Sequence, residues 1–502
     1  MYSCGDKQKR QRGMYRPLRK LAFAALAALV LPALAACQTA PATGKQIFTA
    51  GMGPEEEREL GQKEHPKILQ QFGGAYEDQE VNAYVSSIGN LLARTSELPN
   101  LNFTFTVLDT PIVNAFALPG GYVYITRGLM ALAENEAEVA GVLAHEIGHV
   151  TARHSAERYG STVAASVATT LLGVLTGGGA LSQAAGGASA LALQSYSRDQ
   201  EFEADTLGVR YLSRVGYDPA AMSSFLSKLQ GHSRLEAELR GQKGAADEFS
   251  LLQTHPRTSD RIERAIQAAG TKSVTDPIIG QDVYYSRIDG LLYGDDPSQG
   301  LIRGRSFAHP DLGFAFEVPE DYRLFNSSAA VLALGPDKSR IIFDRAPRAD
   351  GRSMPRYLTE VWAPNAKLSD VEGIDVNGLP AATARARISS REGRLDGRLV
   401  AIRYDADTVY RFLFVTPPSQ TQAQSVGLRR TTYSFRKLSG AEAAELKPQR
   451  IRIHTVRRGE TVSDLVQRMP FSDYREERFL TLNGMKKGEV LKAGQKVKLI
   501  EE

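Results

Sequence analysis

The spacing of hydrophobic positions changes period several times along the chain, and each change marks an element. Apolar residues recurring at three and four positions predict helices over 54–72 and 77–95, and again through much of 135–270. Between them two β-branched and aromatic runs, Phe103-Thr-Phe-Thr-Val-Leu108 and Tyr122-Val-Tyr-Ile-Thr126, read as a pair of strands. From 305 to 436 strands dominate: Phe314-Ala-Phe-Glu-Val318, Ile341-Ile-Phe343, Leu399-Val-Ala-Ile402 and Tyr410-Arg-Phe-Leu-Phe-Val415, with helical patterns near 356–363 and 419–430. The aromatic residues of this part, Trp362 included, read as core. The order predicts an α+β chain of several domains. A mostly helical domain with a small sheet covers 52–270, and a Gly-, Asp- and Tyr-rich connector covers 271–304. A small α+β domain of unassigned role follows over 305–436, then a charged linker over 437–451 and a compact module over 452–500.

The amino terminus follows a different pattern. Lys7, Lys9, Arg10, Arg12, Arg16, Arg19 and Lys20 precede the apolar run Leu21–Leu31 and the small residues before Cys37. This is the layout of a secretory signal over 1–36, with Met14 as a second possible start. The run is shorter than the ~20 apolar residues of a spanning helix. Leu34-Ala-Ala-Cys37 resembles the box of a bacterial lipoprotein, which implies acylation of Cys37 and membrane attachment. Gln38 in place of Asp then implies the periplasmic face of the outer membrane. Residues 37–51 read as a tether. Cys4 and Cys37 are the only cysteines, so the exported part has no disulfide partner.

The formal charge of +4 is a property of that leader. Its seven basic residues against Asp6 carry a net +6, which leaves −2 for the rest, so bulk charge gives no support for nucleic-acid binding. With 42% hydrophobic and 24% charged residues, the remainder has the means to bury several cores. Ser161–Thr176, apolar and Ala-rich, with the Gly-rich run to Gly187, reads as a lid or buried hairpin, because sixteen residues are too few to span a membrane comfortably.

The chemistry concentrates in His145-Glu-Ile-Gly-His149. Asn135 with Glu138 predicts a helix start, and on that helix His145 and His149 are one turn apart on one face. Both rings can then reach one zinc, with Glu146 beside it to take a proton from water. Ser197-Arg-Asp-Gln200 has the form of a capping box, which puts Glu201 and Asp205 on one face of a second helix. Two His and one Glu leave the fourth position open for water. Asp205 is suited to accept the spare ring N–H of a ligating His. Glu203 reads as solvated and His154 as lying on the opposite helix face. His65, His232 and His309 read as isolated and solvated.

Taken with Thr254-His-Pro256, Arg261-Ile262 and Asn114-Ala-Phe-Ala-Leu-Pro-Gly-Gly121, these motifs resemble the BepA/HtpX/CAAX-prenyl-endopeptidase group of gluzincins, metallopeptidase family 48, over about 52–270. The resemblance implies a single zinc on His145, His149 and Glu201, with Glu146 as catalytic base. His255 is implied either as an oxyanion donor or as a fourth ligand that must swing away. Asn114, Ala115, Phe116 and Ala117 would begin an edge strand that pairs with substrate backbone.

The closing module, with Gly459-Glu-Thr-Val462, Asn483 and Gly494-Gln495, resembles LysM and implies peptidoglycan as a partner. The expected function is a lipid-tethered zinc endopeptidase acting on misfolded or misassembled envelope proteins. The alternatives are a periplasmic chaperone on a peptidase fold with a silenced metal and, third, a cell-wall hydrolase.

Overall fold

The computed structural model describes residues 37–162, 195–239, 255, 258–270, 274–327, 330–346, 351–390 and 393–502. The leader over 1–36 and most of the expected lid over 161–187 lie outside the described residues, as do Thr254 and Pro256.

The expected tether is folded. β1 (Cys37–Thr39) and β2 (Gln46–Phe48) pair antiparallel, with Ala40, Ile47 and Thr49 buried beneath them. Helices α1 (Pro54–Gln71) and α2 (Gln79–Arg94) follow where periodicity placed them. Asp78 caps α2 by accepting the N–H groups of Glu80 and Val81, both at 3.0 Å. The α2 stripe Val81, Val85, Ile88 and Leu92 enters the core, each side chain contributing about 1.5–3 kcal/mol on burial.

β3 (Thr104–Leu108), β4 (Ala115–Leu118) and β5 (Tyr122–Thr126) form a sheet of order β3-β5-β4. β3 is parallel to β5 and β4 antiparallel to it, so β4 is an edge strand as expected. Then come α3 (Arg127–Leu132), α4 (Glu136–Thr151), α5 (Arg198–Val215), α6 (Ala221–Leu239) and α7 (Thr258–Gly270). The expected connector is partly core: α8 (Gln281–Ile288) buries Tyr284, Tyr285 and Ile288, and β6 (Leu292–Tyr293) joins a sheet. Gly280 precedes the first residue of α8, and Asp289 and Gly290 turn the chain at its end.

In the next domain β7 (Leu301–Arg303), β8 (Ser306–His309) and β9 (Phe314–Glu317) pack beside a seven-stranded antiparallel sheet. That sheet comprises β10 (Arg323–Asn326), β11 (Val331–Leu334), β12 (Arg340–Arg345), β13 (Leu368–Val376), β14 (Leu379–Ser390), β15 (Gly393–Arg403) and β16 (Val409–Thr416). Its order is β10-β11-β12-β16-β15-β14-β13, while β17 (Arg436–Lys437) extends the smaller sheet as β17-β9-β8-β7. Helix α9 (Thr421–Ser434) packs against β9. Phe343 centres the core, 4.6 Å ring to ring from both Phe316 and Phe412. Trp362 is half-buried beneath the Arg411 guanidinium. His309 is buried here rather than solvated, and His65, half-buried on α1, has its Nδ1 2.7 Å from the Tyr124 hydroxyl.

β18 (Gln449–Thr455), α10 (Val462–Val466), α11 (Arg475–Leu482) and β19 (Lys496–Glu501) reproduce the expected strand–helix–helix–strand order. The module is docked, not free. Its sheet runs β19-β18-β6, and Ile451, Leu465, Phe479 and Leu499 share one apolar core with α2 and α4. Lys498, fully buried, donates to the carbonyls of Ala131, Leu132 and Ala133 at 2.7–3.1 Å, groups that the end of α3 leaves without helical partners. No helix among the described residues is long and apolar enough to cross a membrane.

Candidate metal centre

Helix α4 begins where Asn135 accepts the N–H of Glu138 at 2.9 Å. The Glu138 carboxylate accepts from Glu134 N and pairs with Lys228 instead of closing a capping box. From Ala137 to Thr151 every residue is buried, so α4 is an interior helix. Helix α5 has the full capping box between Ser197 and Gln200 and ends at Gly216 in the left-handed region.

Two glycines set how closely these helices meet. A Cβ on Gly148 would lie 3.1 Å from the Ala204 carbonyl, and one on Gly208 would lie 3.2 Å from the His145 nitrogen. This near-contact of backbones carries Glu201 and Asp205 up to the two histidines.

The result is a fully buried cluster. One donor atom from each of His145, His149, Glu201 and His255 lies within 4.8 Å of the others. His145 Nε2 is 3.0 Å from His149 Nε2 and 3.3 Å from His255 Nδ1, and the last is 2.9 Å from Glu201 Oε1. Asp205 Oδ1 sits 2.9 Å behind His145 Nδ1, so that nitrogen carries the ring proton and Nε2 presents a lone pair inward. Lone pairs converging at such distances suit a shared cation. Three imidazoles and one carboxylate are a zinc-type set, and the residues fit that ion. Glu146 Oε1 is 3.6 Å from His255 Nε2, while its Oε2 has no hydrogen-bond partner among the described residues.

Electrostatics separate the roles. Burial pushes the Glu146 carboxyl above the usual range. Burial would raise Glu201 too, but the Arg261 guanidinium, 2.7 Å from Oε2, and then His255 reverse this and hold it well below. Asp205 is likewise held low against burial by Arg261, which contacts both its oxygens at 2.7 and 2.8 Å. Burial keeps His149 neutral by drawing it well below the ordinary histidine value. His255 is raised: burial opposes this, and Glu201 and Glu146 override it.

All of His145, Glu146, His149, Glu201, Asp205 and His255 therefore converge. Asn114, Ala115, Phe116 and Ala117 lie along and just before β4, packed against α4, with their side chains buried. Cys37 is exposed at the start of the hairpin.

Two expectations fail. His154 lies against His149, not across the helix, and Glu203, half-buried, pairs with His154 and Lys45. The reason is that α4 stops at Thr151, and Arg153 turns the chain at φ 57°. Tyr196, which nothing in the sequence singled out, stacks on His149 with ring centres 3.8 Å apart. Arg261 was visible only as part of a motif, and its grip on both acids required the fold.

Residues 79–269 match the family described as Peptidase family M48. The chain is 33% identical over 266 residues to the putative beta-barrel assembly-enhancing protease of Vibrio cholerae, covering 50% of this chain and 53% of that one. It is 31% identical over 270 residues to the beta-barrel assembly-enhancing protease of Escherichia coli K12, again 50% and 53%. A mitochondrial metalloendopeptidase OMA1 of Schizosaccharomyces pombe is 30% identical over 211 residues, 41% of this chain and 59% of that one. The chain thus spans about half the length of the bacterial relatives it matches.

Proposed function

We propose that the chain is a zinc-dependent endopeptidase of the bacterial cell envelope, hydrolysing peptide bonds of misfolded or misassembled exported proteins. In this reading it is held at the outer membrane by lipid on Cys37 and at peptidoglycan by the carboxyl-terminal module. The observation that carries the activity is the convergence of His145, His149, Glu201 and His255 with Glu146 at their edge. The bacterial relatives, described as beta-barrel assembly-enhancing proteases, support an envelope protease linked to beta-barrel assembly. The strand–helix–helix–strand order of the last module supports the LysM reading.

Zinc held by His145, His149 and Glu201 would supply a Lewis acid for the scissile carbonyl and would acidify the attacking water. Glu146, its carboxyl raised by burial, takes the water's proton and returns it to the leaving amine. Arg261 keeps Glu201 ionised as a ligand. Asp205 holds the His145 ring in its ligating tautomer. β4 is the outer strand of its sheet, and addition of an extended substrate beside it would suit internal cleavage because no chain end is needed.

His255 favours a second reading as the resting state. With its Nδ1 beside Glu201 it completes a four-donor set, which is a closed site. Water would reach such a centre only if His255 withdrew, and a chain that never releases it would act as a chaperone.

Incubation of wild-type, Glu146→Gln and His255→Ala proteins with an unfolded outer-membrane protein tests both readings. Endopeptidase action requires cleavage by the wild type, its loss by about 10²–10⁴-fold in Glu146→Gln, and faster cleavage by His255→Ala. Suppressed aggregation without cleavage by all three supports the chaperone reading. Release of fragments from purified sacculi would instead support a wall hydrolase.

A further inference from the structure

The two ligating imidazoles of α4 are backed differently. Behind His145 stands a carboxylate, Asp205, at 2.9 Å. Behind His149 stands another histidine: the Nδ1 atoms of His149 and His154 are 2.8 Å apart, and His154 Nε2 is 3.2 Å from Glu203 Oε2. Both His149 and His154 are buried to 1% exposure or less.

Proton positions follow from the acceptor at the end. The Glu203 carboxylate only accepts, so His154 carries its proton on Nε2 and leaves Nδ1 bare. That bare nitrogen takes the Nδ1–H of His149. The Nε2 lone pair of His149 is thereby aimed at the cluster, 3.0 Å from His145 Nε2.

The backbone supports the same conclusion. Arg153, a non-glycine residue at φ 57°, ends α4 and begins a new helical stretch at His154. A left-handed conformation there has a cost and persists only when surroundings impose it. They do: the buried Arg153 guanidinium donates to Glu57 Oε1 and to the Met52 carbonyl, both at 2.8 Å, and also to Gln38. Without this turn a continuous helix would carry His154 away from His149. At the outer end, Lys45 in the turn of the β1–β2 hairpin meets Glu203 Oε1 at 2.8 Å.

We propose that His154, oriented by Glu203, is a positioning residue that fixes the tautomer and ring orientation of His149 for metal binding, a relay that rests on the metal reading above. Metal affinity of the full chain, measured by competition between the metal-stripped protein and a chromophoric zinc chelator, tests it alongside the urea midpoint of the metal-free protein. His154→Ala should bind zinc about 10–100-fold more weakly, the range for loss of a ligand's hydrogen-bond support. His154→Asn, whose Oδ1 can stand in for the accepting Nδ1, should restore most of the affinity. Glu203→Ala should lose several-fold, and the metal-free midpoints should stay together. Unchanged affinity in His154→Ala overturns the relay while leaving the metal reading intact. If His154→Ala does not fold, unchanged affinity in Glu203→Ala overturns it equally. A wild-type chain that binds no zinc would instead overturn the metal reading itself.

Discussion

The core between α4, α5 and α7 and the core of residues 305–436 are built from opposite materials. The first encloses His145, Glu146, His149, Glu201, Asp205, His255 and Arg261, none more than 5% exposed. The second is closed by Phe307, Phe314, Phe316, Phe343, Phe412, Phe414 and Phe435. Rings give stability through area and edge contacts at no electrostatic cost. Each buried ion costs several kcal/mol before its partners repay it, and apolar replacements of similar volume are often as stable. A fold has no mechanical need for the first arrangement, so the charges mark where the chemistry lies. The aromatic domain has an evident folding role, and its buried rings add no candidate for catalysis.

Substitutions that remove the special feature of each core break the comparison most sharply. Arg261→Met leaves Glu201 and Asp205 buried without their counter-charge, and should cost about 3–5 kcal/mol in urea unfolding of the metal-free chain and weaken zinc binding as well. Phe343→Ala should cost a similar ~3–5 kcal/mol, read as earlier unfolding of 305–436, yet leave zinc affinity within twofold. Loss of zinc affinity in Phe343→Ala would mean that the two cores act as one unit.

The docked terminal module gives a smaller effect. Lys498→Met removes the donor to three carbonyls at the end of α3, and should cost about 1–3 kcal/mol by thermal unfolding. An unchanged midpoint would show that the apolar contacts alone hold the module.

Acidification gives the smallest and most selective difference. Glu201 and Asp205 have folded pKa values depressed by Arg261, so their contribution is present above the unfolded value of about 4 and is lost as pH falls through the folded values. Between pH 7 and 3 the metal-free wild type should therefore lose more stability than Arg261→Met. Parallel urea midpoints across that range would contradict the assignment.

What was legible in the chain follows the range of the interactions involved. His145 and His149 are four apart on one helix, and Ser197 with Gln200 announces the start of the next, so the ligand set could be read locally. His154 could not. Its place depends on Arg153 adopting φ 57° under the hold of Glu57, a partner 96 residues distant, and a local reading lets the helix run on. Glu203 was misread with it, because its partners His154 and Lys45 come from separate elements. Gly148 and Gly208 carry no local signal, and only the crossing shows them as the places where two backbones meet. Lys498, an apparently polar strand residue, shows its role only against the end of α3. The strands of 305–436 were visible by alternation, but their order, with β16 between β12 and β15, depends on long-range pairing.

The claim on which the rest depends is that one metal ion is held between α4 and α5. Zinc per chain, measured by atomic absorption after exhaustive dialysis of the full protein and of the double substitution His149→Ala, Glu201→Ala, tests it most directly. The account requires about one zinc per wild-type chain and close to none in the double variant, with both proteins folded by circular dichroism. Equal zinc in the two, or none in the wild type, would contradict it.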